Sequence, residues 1–247
     1  MDICREFLPN RELRHFVECI WYSPPVADTR FEIVPDGCVD ACFVLSERMP
    51  RTLLFGTTTR TSAYELDAGT PYLGVRFRPG SASLFVTERI SDLTDAVLAV
   101  PRFLELSAEE MLETASMGER RVRLESALTR ALWRSFDRHA PSIGRAISVI
   151  DSRQGNVRVK ELAAECNLSE RQVERLFLER VGVAPKLYMR IRRFRSVLSH
   201  LEDPPNEQPL QPCGYRCVIW VRRPVSPCSR LSRLRLPAID PGRLTSR

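Results

Sequence analysis

Short apolar and alternating runs fill the first hundred residues, each cut by a turn signal. "RFEIVPDGCVDACFVL" (30–45), "RTLLFGTTTRTSAYEL" (51–66) and "YLGVRFRPG" (72–80) are broken by Pro-Asp-Gly, Gly and Pro-Gly. Such runs predict short strands joined by tight turns. From Ser91 the spacing becomes helical, in "SDLTDAVLAV", "SAEEMLETA" and "GERRVRLESALTRALWRSF". In the last of these Val122, Leu124, Leu128, Ala131, Leu132 and Phe136 recur at three- and four-residue steps with Arg and Glu between them. Pro141 then interrupts, so a domain boundary is expected near residues 137–142. The expected fold class is α+β. An N-terminal domain over 1–137 (β-rich 1–90, helical 91–137) precedes an all-α domain over 138–201 and an irregular tail over 202–247.

The all-α part can be followed turn by turn. Ser142 is the expected N-cap of a helix carrying Ile143, Ala146, Ile147 and Ile150 on one face, and Gly155 is placed to stop it. "VRVKELAAECNL" predicts a short helix with Val159, Leu162, Ala163 and Cys166 at i, i+3, i+4 and i+7. Asn167 falls where a tight turn needs a left-handed residue, which Asn tolerates. Ser169 followed by Gln172 fits a capping box, in which Ser binds the third amide and Gln reaches back. Behind that cap Val173, Leu176 and Phe177 form an apolar stripe, and Arg171, Glu174, Arg175 and Leu178 share the opposite face. Gly182 closes the helix. The next one opens with Pro185 and is expected to bury Leu187, Ile191, Phe194 and Leu198, leaving Arg190, Arg192, Arg193 and Arg195 outside.

Charge sharpens the picture. Residues 1–149 hold 18 Lys+Arg against 21 Asp+Glu, residues 150–200 hold 11 against 6, and residues 201–247 hold 8 against 4. The net positive charge of +6 therefore comes from the last third, where a polyanion would be bound. No run of about 18 apolar residues is present and the N-terminus "MDICREFLPNREL" has no apolar h-region, so a cytoplasmic chain without membrane spans is expected. Eight cysteines include the pairs Cys38/Cys42 and Cys213/Cys217, each four apart with no His nearby, so zinc spacing is not met and no metal or cofactor is expected. A metal enzyme would need clustered His and carboxylates. The first 149 residues have only His15 and His139, in separate predicted helices, so no catalysis is expected.

A helix fits the major groove, and a helix-turn-helix offers the first turns of its second helix to the base edges. Arg171, Gln172, Glu174 and Arg175 supply the long polar side chains which that task needs: Arg for guanine, Gln for adenine, Glu for cytosine. Lys160, Ser169, Lys186, Arg190, Arg192, Arg193 and Arg195 suit phosphates, which position a domain without reading sequence. A three-helix bundle with a charged surface shares the periodicity. The short helix, Asn turn, capped second helix and basic third helix together favour double-stranded DNA as the partner.

These residues also carry a resemblance. "VKELAAECNLSERQVERLFLERVGVAPKLYMRIRRF" is similar to the first helix-turn-helix of AraC/XylS-type transcriptional regulators, matching at Leu162, Ala163, Leu168, Ser169, Arg171, Arg175, Phe177, Gly182, Pro185, Tyr188 and Arg192. Upstream, "LRHFVECIWY", "VPDGCVD" (34–40) and "GVRFRPG" (74–80) resemble one subgroup with a cupin-like β-sandwich at the N-terminus. The resemblance spans roughly residues 5–200. It implies a regulator whose N-terminal domain senses a small-molecule effector or forms a homodimer, and whose recognition helix offers Arg171, Glu174 and Arg175 to bases.

The family's DNA-binding unit has two such motifs joined by a long helix. Here the segment after that helix, 202–247, holds eight prolines, and Pro removes a backbone donor and clashes with the preceding turn. Gly214-Tyr215 stands where a turn is expected, but no capped periodic helix follows, and "CVIWV" reads as a strand. With 35 Arg against 2 Lys, GC-rich coding read out of frame would give this composition, so a frameshift or divergence after about Leu201 is expected. The alternative function is then a defective regulator that acts only through association of its N-terminal domain.

Overall fold

The computed structural model describes residues 4–27, 30–135 and 140–202. The expectations for the tail after Glu202, including Gly214-Tyr215 and "CVIWV", lie outside the described residues, as do Phe136 and His139. Eight strands and six α-helices make up the described chain, an α+β arrangement with the sheet first and a helical part after it.

The strands are β1 (Arg5–Phe7), β2 (Val17–Ser23), β3 (Arg30–Ile33), β4 (Val39–Val44), β5 (Arg51–Phe55), β6 (Ser62–Glu65), β7 (Tyr72–Phe77) and β8 (Val97–Val100). Six form one antiparallel sheet in the order β1-β2-β7-β4-β5-β8, and β3 pairs with β6 in a separate ribbon. Every residue of the central strands β4 and β7 is buried, so the sheet is covered on both faces. Period-two alternation divides each strand between two cores. Val39, Ala41 and Phe43 join Leu73, Val75 and Phe77 in the core roofed by the helices α1 (Ala108–Glu113) and α2 (Met117–Arg134). Cys42 and Val44 join Trp21, Leu53, Tyr64 and Tyr72 on the face covered by the β3–β6 ribbon. Trp21 lies flat across β7 there. A Cβ on Gly74 would sit 2.2 Å from the indole, so only glycine lets the ring cross the strand.

Two features of the polar pattern stand out within this apolar frame. A bulge between Val17 and Cys19 makes Glu18 the extra residue of β2. Close by, Arg76 binds Asp36 at 2.6 Å and Asp40 at 3.0 Å, and Asp40 also accepts from the Trp21 indole at 3.1 Å. Asp36 in turn accepts from the Cys38 amide at 2.8 Å, which closes the Pro35-Asp36-Gly37 turn. The buried charges of Arg76, Asp36 and Asp40 are thus paired and hydrogen-bonded, the condition under which burial is tolerated.

Three helical expectations need correction. "SDLTDAVLAV" is a 3-10 turn (Ile90–Leu93) followed by β8, which pairs with β5 at the sheet edge. A short apolar run fits strand or helix equally well, and the unpaired edge of β5 decides between them. The helix α3 (Ala140–Ser152) starts before Ser142, so Ser142 lies in its first turn rather than at its cap; Pro141 is compatible with that turn. Phe194 is 44% exposed and not buried on α6 (Pro185–Glu202), where Ile191 is buried as expected and Tyr188 and Met189 join the helical core.

The helices α3, α4 (Val159–Cys166), α5 (Glu170–Arg180) and α6 share one core built on Ile143, Ala146, Ile150, Leu162, Val173, Phe177 and Tyr188. Phe177 and Tyr188 meet at 5.6 Å between ring centroids, which locks α5 onto α6. No described helix is long and apolar enough to cross a membrane.

Candidate nucleic-acid interface

The unit formed by α4, a short turn and α5 is built as local sequence dictates. Asn167 ends α4 in the left-handed region, φ 55° and ψ 41°, and its amide donates back to the last turn. Ser169 then caps α5. Its hydroxyl accepts from the Gln172 amide at 3.2 Å, while Gln172 Oε1 accepts from the Ser169 amide at 2.8 Å and from its hydroxyl at 3.0 Å. Val173, Leu176 and Phe177 are buried, which fixes the rotation of α5 about its axis. Arg171, Glu174 and Arg175 therefore point to solvent from the first two turns.

Not all the residues singled out above are equally available. Arg171 and Glu174 are exposed, and Arg175 lies 3.8 Å from Glu179 in an exposed i, i+4 pair that carries little energy. Gln172 is also exposed, but its carbonyl oxygen is committed to the cap. Lys160, Lys186 and Arg190 are exposed on α4 and α6, and Ser169 is held by its capping bonds. Arg195 is half-buried. Arg192 binds Asp151 of α3 at 2.6 Å, and Arg193 donates to the Gly155 carbonyl at 2.6 Å. Those two arginines tie α6 to the end of α3, so they serve the bundle's own architecture.

The residues that sequence reasoning missed hold the far end of α5. The hydroxyl of Thr57 donates to the Val181 carbonyl at 2.7 Å, and that of Thr94 donates to the Gly182 carbonyl at 2.7 Å. Arg180 donates to the Ser83 hydroxyl at 3.1 Å. Gly182 has φ +87°, and a Cβ there would lie 2.8 Å from both the Ile90 carbonyl and the Thr94 hydroxyl. A second contact comes from the Pro-Asp-Gly turn, where a Cβ on Gly37 would meet the Tyr188 ring at 2.5 Å. The sheet part thus grips the C-terminal end of α5 and the start of α6, and the capped N-terminal end of α5 faces away into solvent. Polar loop residues such as "GTTTRT" have no periodicity to announce such a contact.

Among the described residues no group of three or more His, Cys, Asp or Glu is placed to hold a metal ion. Cys38 and Cys42 are buried, and burial pushes both thiols up. Such thiols are not reactive groups.

Fold and site together define an α+β protein with an exposed, capped, Arg-bearing helix fixed to a sheet domain. Comparison with known proteins adds one finding. Residues 5–99, which run from β1 to within β8, match a family described as a domain of unknown function (DUF6597). No curated protein and no solved structure matches the chain.

Proposed function

We propose that the chain is a sequence-specific DNA-binding transcriptional regulator of the AraC/XylS type, with α4 and α5 acting as a helix-turn-helix. The observation that carries the proposal is the exposure of Arg171, Glu174 and Arg175 on the first turns of a capped helix whose other face is buried. In the major groove Arg171 and Arg175 would donate to guanine and Glu174 would accept from cytosine. Lys160, Lys186 and Arg190 would meet phosphates on either side. The sheet domain is then the cupin-like sensing or dimerising part, and it acts without catalysis. The partner is double-stranded DNA.

One motif offers few groove contacts, and each good bidentate pair contributes roughly 1–3 kcal/mol of discrimination. Binding by a single copy is therefore weak, and a homodimer on two half-sites supplies the rest.

The test is selection of the full chain against a random duplex library, followed by fluorescence anisotropy on the enriched sequence. Arg171→Ala is expected to lower the preference for that sequence over scrambled DNA by about tenfold. Lack of enrichment, with only salt-labile binding to every duplex, would overturn the proposal. It would leave a chain that works through its N-terminal domain alone.

A further inference from the structure

Leu178 is the residue of α5 that neither the helical core nor the sheet part uses. It is 45% exposed, the one large apolar side chain left open on α3, α4 or α5 among the described residues. At about 100° per residue it lies within about 20° of Arg171, two turns further on, and so in the middle of the face shared with Glu174 and Arg175. The buried stripe of Val173, Leu176 and Phe177 points the other way. Arg180, whose bond to Ser83 ties the helix to the sheet part, also leaves from the far side, about 160° from Leu178.

A single exposed leucine calls for no function by itself. Its surroundings are what give this one meaning. Its neighbours on the face are Arg171, Glu174, Arg175 and Glu179, every one of them exposed. One leucine among charges supplies far less apolar area than the roughly 800 Å² per partner of a stable protein interface. Such a face fits a polar, anionic surface that carries one small apolar projection. The major groove is that surface: base-edge donors and acceptors are framed by phosphates, and the thymine 5-methyl is the apolar group among them. The exposed cations Lys160, Lys186 and Arg190 complement the phosphates.

The spacing along α5 says where the methyl group should lie. A rise of about 1.5 Å per residue sets Leu178 about 10 Å beyond Arg171 along the helix axis. Base pairs stack about 3.4 Å apart, so the two side chains address positions about three base pairs apart. Leucine also rejects the alternative pyrimidine. Against cytosine it would cover the N4 amino group and offer it no acceptor, which costs free energy.

On the reading of α5 as a recognition helix, we propose that Leu178 packs against the 5-methyl group of a thymine about three base pairs from the guanine that Arg171 binds, and so fixes that base pair in the target.

The experiment takes the full chain and the duplex enriched from the random library. Each thymine is replaced in turn by deoxyuridine, which removes the methyl group and nothing else. Anisotropy titration is expected to show one thymine whose replacement lowers affinity about fourfold, the loss for one buried methyl group. Leu178→Ala is expected to lower affinity for the thymine duplex by a similar factor and to bind the thymine and uracil duplexes equally. Arg171→Ala is expected to keep the fourfold ratio. The methyl probe lies on the DNA, so a purely structural effect of Leu178→Ala lowers both affinities together and leaves the ratio intact; that result overturns the proposal. So does an enriched duplex that tolerates every replacement within about 1.5-fold, the outcome if Leu178 meets a protein instead. In both cases the regulator reading stands. If no duplex is enriched, the regulator reading falls and this assignment falls with it.

Discussion

Replacing Gly182 by Ala probes the joint between the two halves of the molecule, and Gly69 provides its control. Both glycines have positive φ, +87° and +72°. An L-residue in that region costs roughly 1–2 kcal/mol, offset by about 0.4–1 kcal/mol of lost freedom in the unfolded chain. At Gly69 a Cβ would meet nothing within 4 Å, so Gly69→Ala should cost only the difference, about 0.5–1 kcal/mol. At Gly182 the same Cβ would lie 2.8 Å from the Ile90 carbonyl and the Thr94 hydroxyl, closer than carbon tolerates. Relief requires the chain to move off the sheet, which breaks the 2.7 Å bond from Thr94 to the Gly182 carbonyl. That adds about 1 kcal/mol for the hydrogen bond and at least 1 kcal/mol of overpacking. Gly182→Ala is therefore expected to cost about 3 kcal/mol in all, with Tm lowered by roughly 6–12 °C at 2–4 °C per kcal/mol. Urea titration and scanning calorimetry of the two variants give the comparison. Equal losses within about 0.5 kcal/mol would refute the close approach of the Val181–Val183 turn to the sheet part.

Other expectations follow from single contacts. Ser169→Ala removes the acceptor for the Gln172 amide and should lower stability by about 1 kcal/mol, read in urea, with a small loss of helical signal. Arg193→Ala should lower stability through the lost bond to Gly155 and leave the salt slope of DNA binding unchanged; Lys160→Ala should do the reverse, reducing that slope by about one. Glu18 has its carboxyl pushed up to about 7 by burial, against the opposing pull of Arg76 and Arg78 and with Asp36 and Asp40 reinforcing the rise. An acid whose folded pKa is raised binds more protons when folded, so stability is fully present below the ordinary carboxylate value and falls as pH climbs to about 7. The fall amounts to roughly 3 kcal/mol at most, and Glu18→Gln should flatten it; a wild-type stability curve level from pH 4.5 to 7 would refute this.

Much of the helical unit was legible because its signals are local. The Asn167 turn, the Ser169–Gln172 box and the Val173–Leu176–Phe177 stripe each rest on residues within one or two turns of one another. Capping and periodicity depend on nothing farther away. The edge strand β8 is not legible in the sequence, for the opposite reason. Its four residues gain their partners only from β5, more than forty positions earlier. Phe194 lies on the same apolar stripe as Ile191 yet is 44% exposed, which periodicity within α6 alone does not reveal.

The candidate site divides along the same line. Sequence alone determined that α5 exists, where it begins, and which of its faces carries Arg171, Glu174 and Arg175. It also located the excess of positive charge. Only tertiary structure decided which basic residues remain available, because Arg192 and Arg193 look like their neighbours until Asp151 and the Gly155 carbonyl come within 2.6 Å. It alone brought Thr57 and Thr94 to the end of α5. A periodic pattern records which face of a helix is apolar, whereas the partner of a single hydroxyl or guanidinium is set by chain segments far off in sequence.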